Sequence, residues 1–328
     1  MSSAPREGFS RSKALTITLI GNVNAGKSFL MNRILRQPKN HEVSPVAGWT
    51  KEVKIRELGT DLRIADTPGL EDPDEAVARQ AFDFIGESDI FLHIINGTEG
   101  ATKSVVKAHE LLRRTQRPVV LVCNKAGFLD SADRESVATQ LLETMKAEVL
   151  VFTDAKSGDG VDQLVREIWT IVGHSGDELR FARYCTIMLP EIRARLERAN
   201  NDADSAVKWG TGRAAAIAIS PIPLADVYPL IANQIYMAKK IGEAYGMDLS
   251  DSVIKGLLAA MGASFLGLTV ASFLPGFKIG IAAGVTYGVG KTIKAWCYTG
   301  GQLTENELRS EFEREKAAER ARRRVDES

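Results

Sequence analysis

Gly21-Asn22-Val23-Asn24-Ala25-Gly26-Lys27-Ser28 reads as a loop built to hold phosphate. It fits the spacing G-x-x-x-x-G-K-[ST] in the context that spacing requires: a β-branched run, Leu15–Ile20, precedes it and a helical pattern, Ser28–Arg36, follows. Gly21 and Gly26 let the chain curl, so that the amides from Asn22 through Ala25 turn inward toward phosphate oxygens. The helix opening near Lys27 adds its positive end. Lys27 is the flexible cation expected to reach the β- and γ-phosphates. The Ser28 hydroxyl is expected to ligate Mg²⁺, a hard ion that prefers oxygen.

On either side of this loop the chain alternates between two patterns. Short apolar runs at Val53–Leu58, Leu62–Ala65, Ile90–Ile95, Val119–Cys123 and Val149–Phe152 are separated by helical stretches. The latter are Ala76–Ile85, Lys103–Arg114, Arg134–Lys146 and Val161–Val172. That alternation predicts an α/β domain with a doubly wound, mostly parallel sheet. Only Gly59, Thr60 and Asp61 separate the second and third runs, which predicts one antiparallel edge strand.

Asp66-Thr67-Pro68-Gly69 follows the third run directly. A carboxylate at a strand end can hold Mg²⁺ through water. Gly69 has a backbone N–H free to swing toward a γ-phosphate. Between the two motifs, Thr50 stands just before a strand, where a threonine would supply a second Mg²⁺ oxygen. The expected metal ligands are therefore Ser28, Thr50 and Asp66.

Asn124-Lys125-Ala126-Gly127 follows the fifth run and Asp154-Ala155-Lys156-Ser157-Gly158 follows the sixth. With these, residues 14–173 resemble the translation-factor-related P-loop GTPases of the Era, Der and TrmE type, which carry N-K-x-D and S-A-K at the two places. The resemblance implies GTP or GDP as ligand and hydrolysis of GTP. It implies that Asn124 hydrogen-bonds toward the guanine, that the Lys125 stem packs over the base, and that the Ala155 N–H, beside Lys156, meets the guanine O6. One position departs: the family's aspartate, which accepts from guanine N1–H and N2–H₂, falls on Gly127. Asp130 is then the candidate to bend back in its place; otherwise guanine preference weakens.

Hydrolysis needs positioning and charge neutralisation. Lys27, Thr50, Asn24 and Gly69 are the candidate catalytic residues. Leu70 stands where a water-orienting glutamine would follow Gly69, so slow intrinsic turnover is expected, raised by K⁺, dimerisation or a partner. By resemblance to K⁺-activated relatives, Asn24 implies a K⁺ beside the phosphates. Read from the residue alone, Asn24 simply tolerates a left-handed turn.

The remaining sequence is of a different kind. The 328 residues carry 42 basic and 42 acidic side chains, 44% apolar residues and three cysteines without metal-ligand spacing. No overall field draws the chain to nucleic acid, and reduced thiols fit a cytoplasmic protein. The expected organisation is a leader (1–13), the nucleotide domain (14–173), a connecting helix (174–204), a hydrophobic helical domain (205–302) and a charged helix and tail (303–328).

Gly256–Phe277 and Ile279–Gly290 are uncharged runs with small residues every fourth position: Ala259, Ala263, Gly267 and Ala271, then Gly280, Gly284 and Gly288. Pro275-Gly276 between them predicts a tight helical hairpin. Two accounts stand. The hairpin inserts in a membrane with Lys291, Lys294, Trp296 and Tyr298 as interfacial anchors, or it is the core of a helical bundle. Around residues 205–315, including Ser220–Asp226, the chain resembles the hydrophobic C-terminal domain of YcjF-type bacterial GTPases. No basic, aromatic-interleaved face is present, so the expected partners are a guanine nucleotide and a membrane or protein, with nucleic acid not expected.

Overall fold

The computed structural model describes residues 14–35, 53–59, 61–67, 84–175, 177–219, 227–262 and 278–326. They divide into two compact units, Lys13–Arg193 and Ala194–Ser328. Thr50, Gly69, Leu70, the leader, Ser220–Asp226 and the Pro275-Gly276 turn lie outside the described residues.

The first unit is a six-stranded sheet in the order β2-β3-β1-β4-β5-β6. The strands are β1 (Leu15–Gly21), β2 (Lys54–Leu58), β3 (Leu62–Asp66), β4 (Ile90–Asn96), β5 (Val119–Asn124) and β6 (Leu150–Phe152). β2 pairs antiparallel to β3, with Leu58 opposite Leu62, and the other ladders are parallel. Every residue of β1 and β4 is buried, as expected of strands covered on both faces. Chain order reverses at β1: β3 lies on one side of it and β4 on the other. That switch point puts the loop after β1 in the crevice at the carboxyl ends of the strands.

The helices of this unit are α1 (Lys27–Ile34), α2 (Lys103–Arg114), α3 (Ser131–Met145), α4 (Val161–Ser175) and the short α5 (Glu178–Tyr184). Thr102 caps α2, accepting from the Val105 N–H, and Arg113 and Arg114 sit against its negative end. α3 begins earlier than the helical pattern suggests because Asp130 caps it, accepting from the Asp133 N–H. Of the helix expected over Ala76–Ile85, residues 76–83 lie outside the described residues, and Phe84–Glu87 form one 3₁₀ turn.

The charged stretch expected to form one connecting helix is instead interrupted. Between α5 and the long α6 (Pro190–Ile217) the chain extends, and Cys185 bridges to Leu35. There the N–H of Thr186 donates to the carbonyl of Ile34 at 2.9 Å. Pairing with the chain leaving α1 thus breaks the helix, and Pro190 restarts it at the position where proline costs nothing. Arg183 of α5 is ion-paired with Asp61, and the Tyr184 hydroxyl donates to the same carboxylate at 3.2 Å, all buried. A second buried polar pair, His93 on β4 and His109 on α2, brings its Nδ1 atoms to 3.0 Å.

The second unit is helical: most of α6, then α7 (Val227–Ala244), α8 (Asp251–Ala260), α9 (Lys278–Tyr298) and α10 (Glu305–Asp326). α9 is its centre, with Ala283, Val289, Ile293, Trp296 and Cys297 buried. Of the described glycines of the small-residue stripe, Gly288 alone makes a close approach. A Cβ on Gly288 would come within 3.1 Å of the Phe312 ring of α10, whereas Gly280 and Gly284 meet nothing within 4 Å among the described residues. On the same helix Gly290, outside the stripe, also makes a close approach, to Val207 and Met237.

The residues read as interfacial anchors have partners within this unit. Lys291 and Lys294 both pair with Asp204 of α6, at 3.1 and 2.8 Å, and Trp296 is 2% exposed. Among the described residues, no helix is long and apolar enough to cross a membrane.

Candidate functional site

The loop after β1 is shaped by left-handed backbone at two positions. Asn24 has φ 62° and Gly26 has φ 89°. A side chain at Gly26 would, besides the strain, stand inside van der Waals contact of the Asn124 amide nitrogen. Exposed Asn24 thus adopts the conformation that its residue type tolerates. Gly26 ends the loop and begins α1 with no side-chain cap, so the first-turn amides of α1 have no helical carbonyl to donate to. A helix start left in this state is a ready anion site.

Lys27 lies under the loop, 7% exposed, and its Nζ donates to the carbonyls of Gly21 and Asn22, both at 3.0 Å. Burial pushes its pKa down to about 8, with the Asp66 carboxylate pulling it back up. Ser28 Oγ donates to Asp66 Oδ2, while Asp66 Oδ1 is buried without a partner. Burial raises the Asp66 carboxyl above its usual range, against the Ser28 hydroxyl and the Lys27 ammonium.

A hydroxyl and a carboxylate in contact, with one carboxylate oxygen unsatisfied, fit a hard divalent cation. Among the described residues no cluster of three or more His, Cys, Asp or Glu could hold a metal alone. Ser28 and Asp66 would therefore hold Mg²⁺ together with phosphate oxygens, and the cation would supply charge neutralisation at the phosphates.

The residues expected to read the base are arranged differently from their sequence reading. The buried Asn124 uses its side chain as a strut: Nδ2 donates to the Ala25 carbonyl at 2.8 Å, and Oδ1 accepts from Thr153 Oγ1 and from the Ala155 N–H, both at 3.1 Å. Asn124 thereby ties the phosphate loop to the end of β6, and the Ala155 amide, expected to meet guanine O6, is engaged with it. Lys125 is exposed, in left-handed backbone with φ 60°, and Lys156 is exposed as well. Asp130 does not bend back, because its carboxylate is the α3 cap.

Two arginines that the sequence does not single out pin these two loops. Arg33 of α1 donates from Nε to the Ala155 carbonyl at 3.0 Å and from Nη2 to the Lys156 carbonyl at 2.7 Å. Arg134 of α3 reaches Asp159 at 2.6 Å and the Ala126 carbonyl at 3.3 Å. Arginines on helical patterns read as solvated faces, and nothing local marks them as loop clamps.

A sheet switch point, an uncapped helix start, a buried lysine and a Ser–Asp oxygen pair together define a P-loop nucleotide-binding domain. Residues 16–125 match the family model described as 50S ribosome-binding GTPase. An uncharacterized protein of Methanocaldococcus jannaschii is 29% identical over 175 residues, 47% of this chain and 94% of its own. GTPase Der of Sulfurihydrogenibium is 28% identical over 47% of this chain, and tRNA modification GTPase MnmE of Desulfotalea psychrophila is 28% identical over 49%. The match spans only 37% of that Der protein and 35% of that MnmE. Among solved structures, a probable GTP-binding protein EngB is similar with TM-score 0.40 and 20% identity, over 48% of this chain and 99% of that one. Over this stretch the chain is a P-loop GTPase domain similar to those of Der and MnmE, and it spans well under half the length of those two relatives.

Proposed function

We propose that this chain is a GTP-binding, slowly hydrolysing molecular switch whose nucleotide state controls its C-terminal helical unit at a protein or membrane partner. The observation that carries the nucleotide half is the Lys27–Ser28–Asp66 cluster beneath the loop, where a buried ammonium and an unsatisfied carboxylate oxygen await phosphate and Mg²⁺. Lys27 and the α1 start offset phosphate charge, and the loop amides orient it. Leu70 supplies no water-orienting group, so turnover is slow until K⁺, dimerisation or a partner completes the site.

The partner half draws on the helical unit's surface. Trp209 is 73% exposed and Tyr236 48%, and both line a cavity of about 670 Å³ with Arg213 and Lys240. Tyr228 and Ile219 are exposed as well. Aromatic and arginine side chains in such density are what partner surfaces carry.

Hydrogen exchange of α6 to α10 compared between GDP and a non-hydrolysable GTP analogue tests the coupling, and phosphate release in K⁺ against Na⁺ tests the cation. Unchanged exchange overturns the switch, and equal rates overturn the role of K⁺. A second reading, ribosome assembly, is favoured by the description of the matching family. Co-sedimentation with large ribosomal subunits that depends on the GTP analogue would select it.

A further inference from the structure

The departure at Gly127 has a counterpart across the site. Relative to N-K-x-D and S-A-K, this chain has lost a carboxylate at Gly127 and gained one at Asp154. The two positions are neighbours in space. A Cβ built on Gly127 would lie 2.5 Å from Asp154 Oδ2. Gly127 does not have a positive φ, so its backbone conformation is open to any residue. What demands glycine there is space, and the Asp154 carboxylate fills that space.

Asp154 is also held. Its Oδ1 accepts from the Lys156 N–H at 2.9 Å and the Ser157 N–H at 3.1 Å, while the loop behind it is clamped by Arg33. The amides of Ser157 and Lys156 lower its carboxyl pKa from the ordinary value, against the opposing effect of partial burial.

We propose that Asp154 is the guanine-specificity residue of this protein, its Oδ2 standing in from the neighbouring loop for the carboxylate missing at Gly127 and accepting from the N1–H and N2–H₂ edge of the base. The proposal rests on the GTP reading above and adds which residue reads the base. Guanine presents two donors on that edge, adenine presents an unprotonated N1, and xanthine replaces the 2-amino group by a carbonyl. A fixed acceptor selects the first, and a site built around such hydrogen bonds discriminates by orders of magnitude.

The test is calorimetric titration of the full chain with the Mg²⁺ complexes of GTP, ATP and XTP. Three forms are compared: wild type, Asp154→Asn, and the reciprocal exchange Gly127→Asp with Asp154→Ser. The amide introduced by Asp154→Asn still offers an oxygen to the Lys156 and Ser157 N–H groups, so the loop survives while the second acceptor becomes a donor. Wild type is expected to prefer GTP. Asp154→Asn loses roughly 100-fold or more in GTP affinity and binds XTP better than GTP. The reciprocal exchange recovers GTP to within about tenfold of wild type. If Asp154→Asn keeps the wild-type preference, Asp154 is only a loop brace and the inference fails alone. If wild type binds no purine triphosphate, the GTP reading itself fails.

Discussion

Replacing Asn124 by alanine separates a strut from a base contact. In the structure the side chain satisfies the carbonyl of buried Ala25 and the N–H of buried Ala155, each across a long sequence separation. Truncation removes the partners of both, because alanine offers neither donor nor acceptor. A buried unsatisfied backbone group costs about 1–3 kcal/mol, so the pair costs about 3 kcal/mol, with Thr153 free to turn its hydroxyl elsewhere. At about 1.4 kcal/mol per factor of ten, local opening becomes roughly 100-fold more frequent.

The assay is native-state hydrogen exchange without nucleotide, read over residues 119–124 and 153–158. The strut predicts a loss of protection in both segments before any ligand is added. Asn124→Asp should fall between the two, since it keeps the acceptor for Ala155 and turns a repulsive oxygen on Ala25. Wild-type protection in the alanine variant, with nucleotide affinity lost, would refute the strut and return Asn124 to the base.

The Lys27 pKa of about 8 gives two pH effects of opposite sign. Folded Lys27 binds fewer protons than its unfolded counterpart between pH 8 and the ordinary 10.5, so the nucleotide-free protein gains stability as pH rises through that window. Binding of Mg·GTP needs the ammonium, so affinity falls by about tenfold per pH unit above 8. Calorimetry at pH 8.5 in buffers of different ionisation enthalpy should register proton uptake, and none would contradict this. Arg183→Ala leaves Asp61 buried without its cation and should cost about 3–5 kcal/mol in urea unfolding, a loss under about 1 kcal/mol being inconsistent with the burial. The stacked His93 and His109 are pushed down to about 3 and 4 by burial, so stability is complete above pH 6.5 and falls as pH drops toward 4. Replacing both histidines with leucine should flatten that acid limb of a stability–pH curve.

How much could be read from residues alone varies with how local the cause is. The strands and the phosphate loop are local. A β-branched run, a curled glycine loop and a helix start state themselves in order, and Leu15–Gly21 into Lys27–Ile34 follows that statement closely. Helix ends set by caps, as at Asp130, differ by a few residues from the periodic pattern because a cap competes with periodicity. The broken connecting helix is hidden in the sequence, because the pairing of Cys185 with Leu35 links distant positions.

The base side is the least readable. Asn124 carries the expected residue with unexpected partners, and the substitution at Gly127 becomes intelligible only with Asp154 beside it. In the helical unit the spacing of Gly280, Gly284 and Gly288 is visible in sequence, but which glycine meets a neighbouring helix depends on the face that α9 turns to α10.

In the proposed switch, the loop at Gly21–Ser28 binds a nucleotide through Lys27 and the Ser28–Asp66 pair. Titrating wild type and Lys27→Ala with GTP, with and without Mg²⁺, tests this. Wild type should bind GTP more tightly with Mg²⁺ present, and Lys27→Ala should lose that binding by a factor of about 100 or more, the order expected when a buried charge contact to phosphate is removed. Equal affinity in the two proteins, or no binding by either, would contradict it.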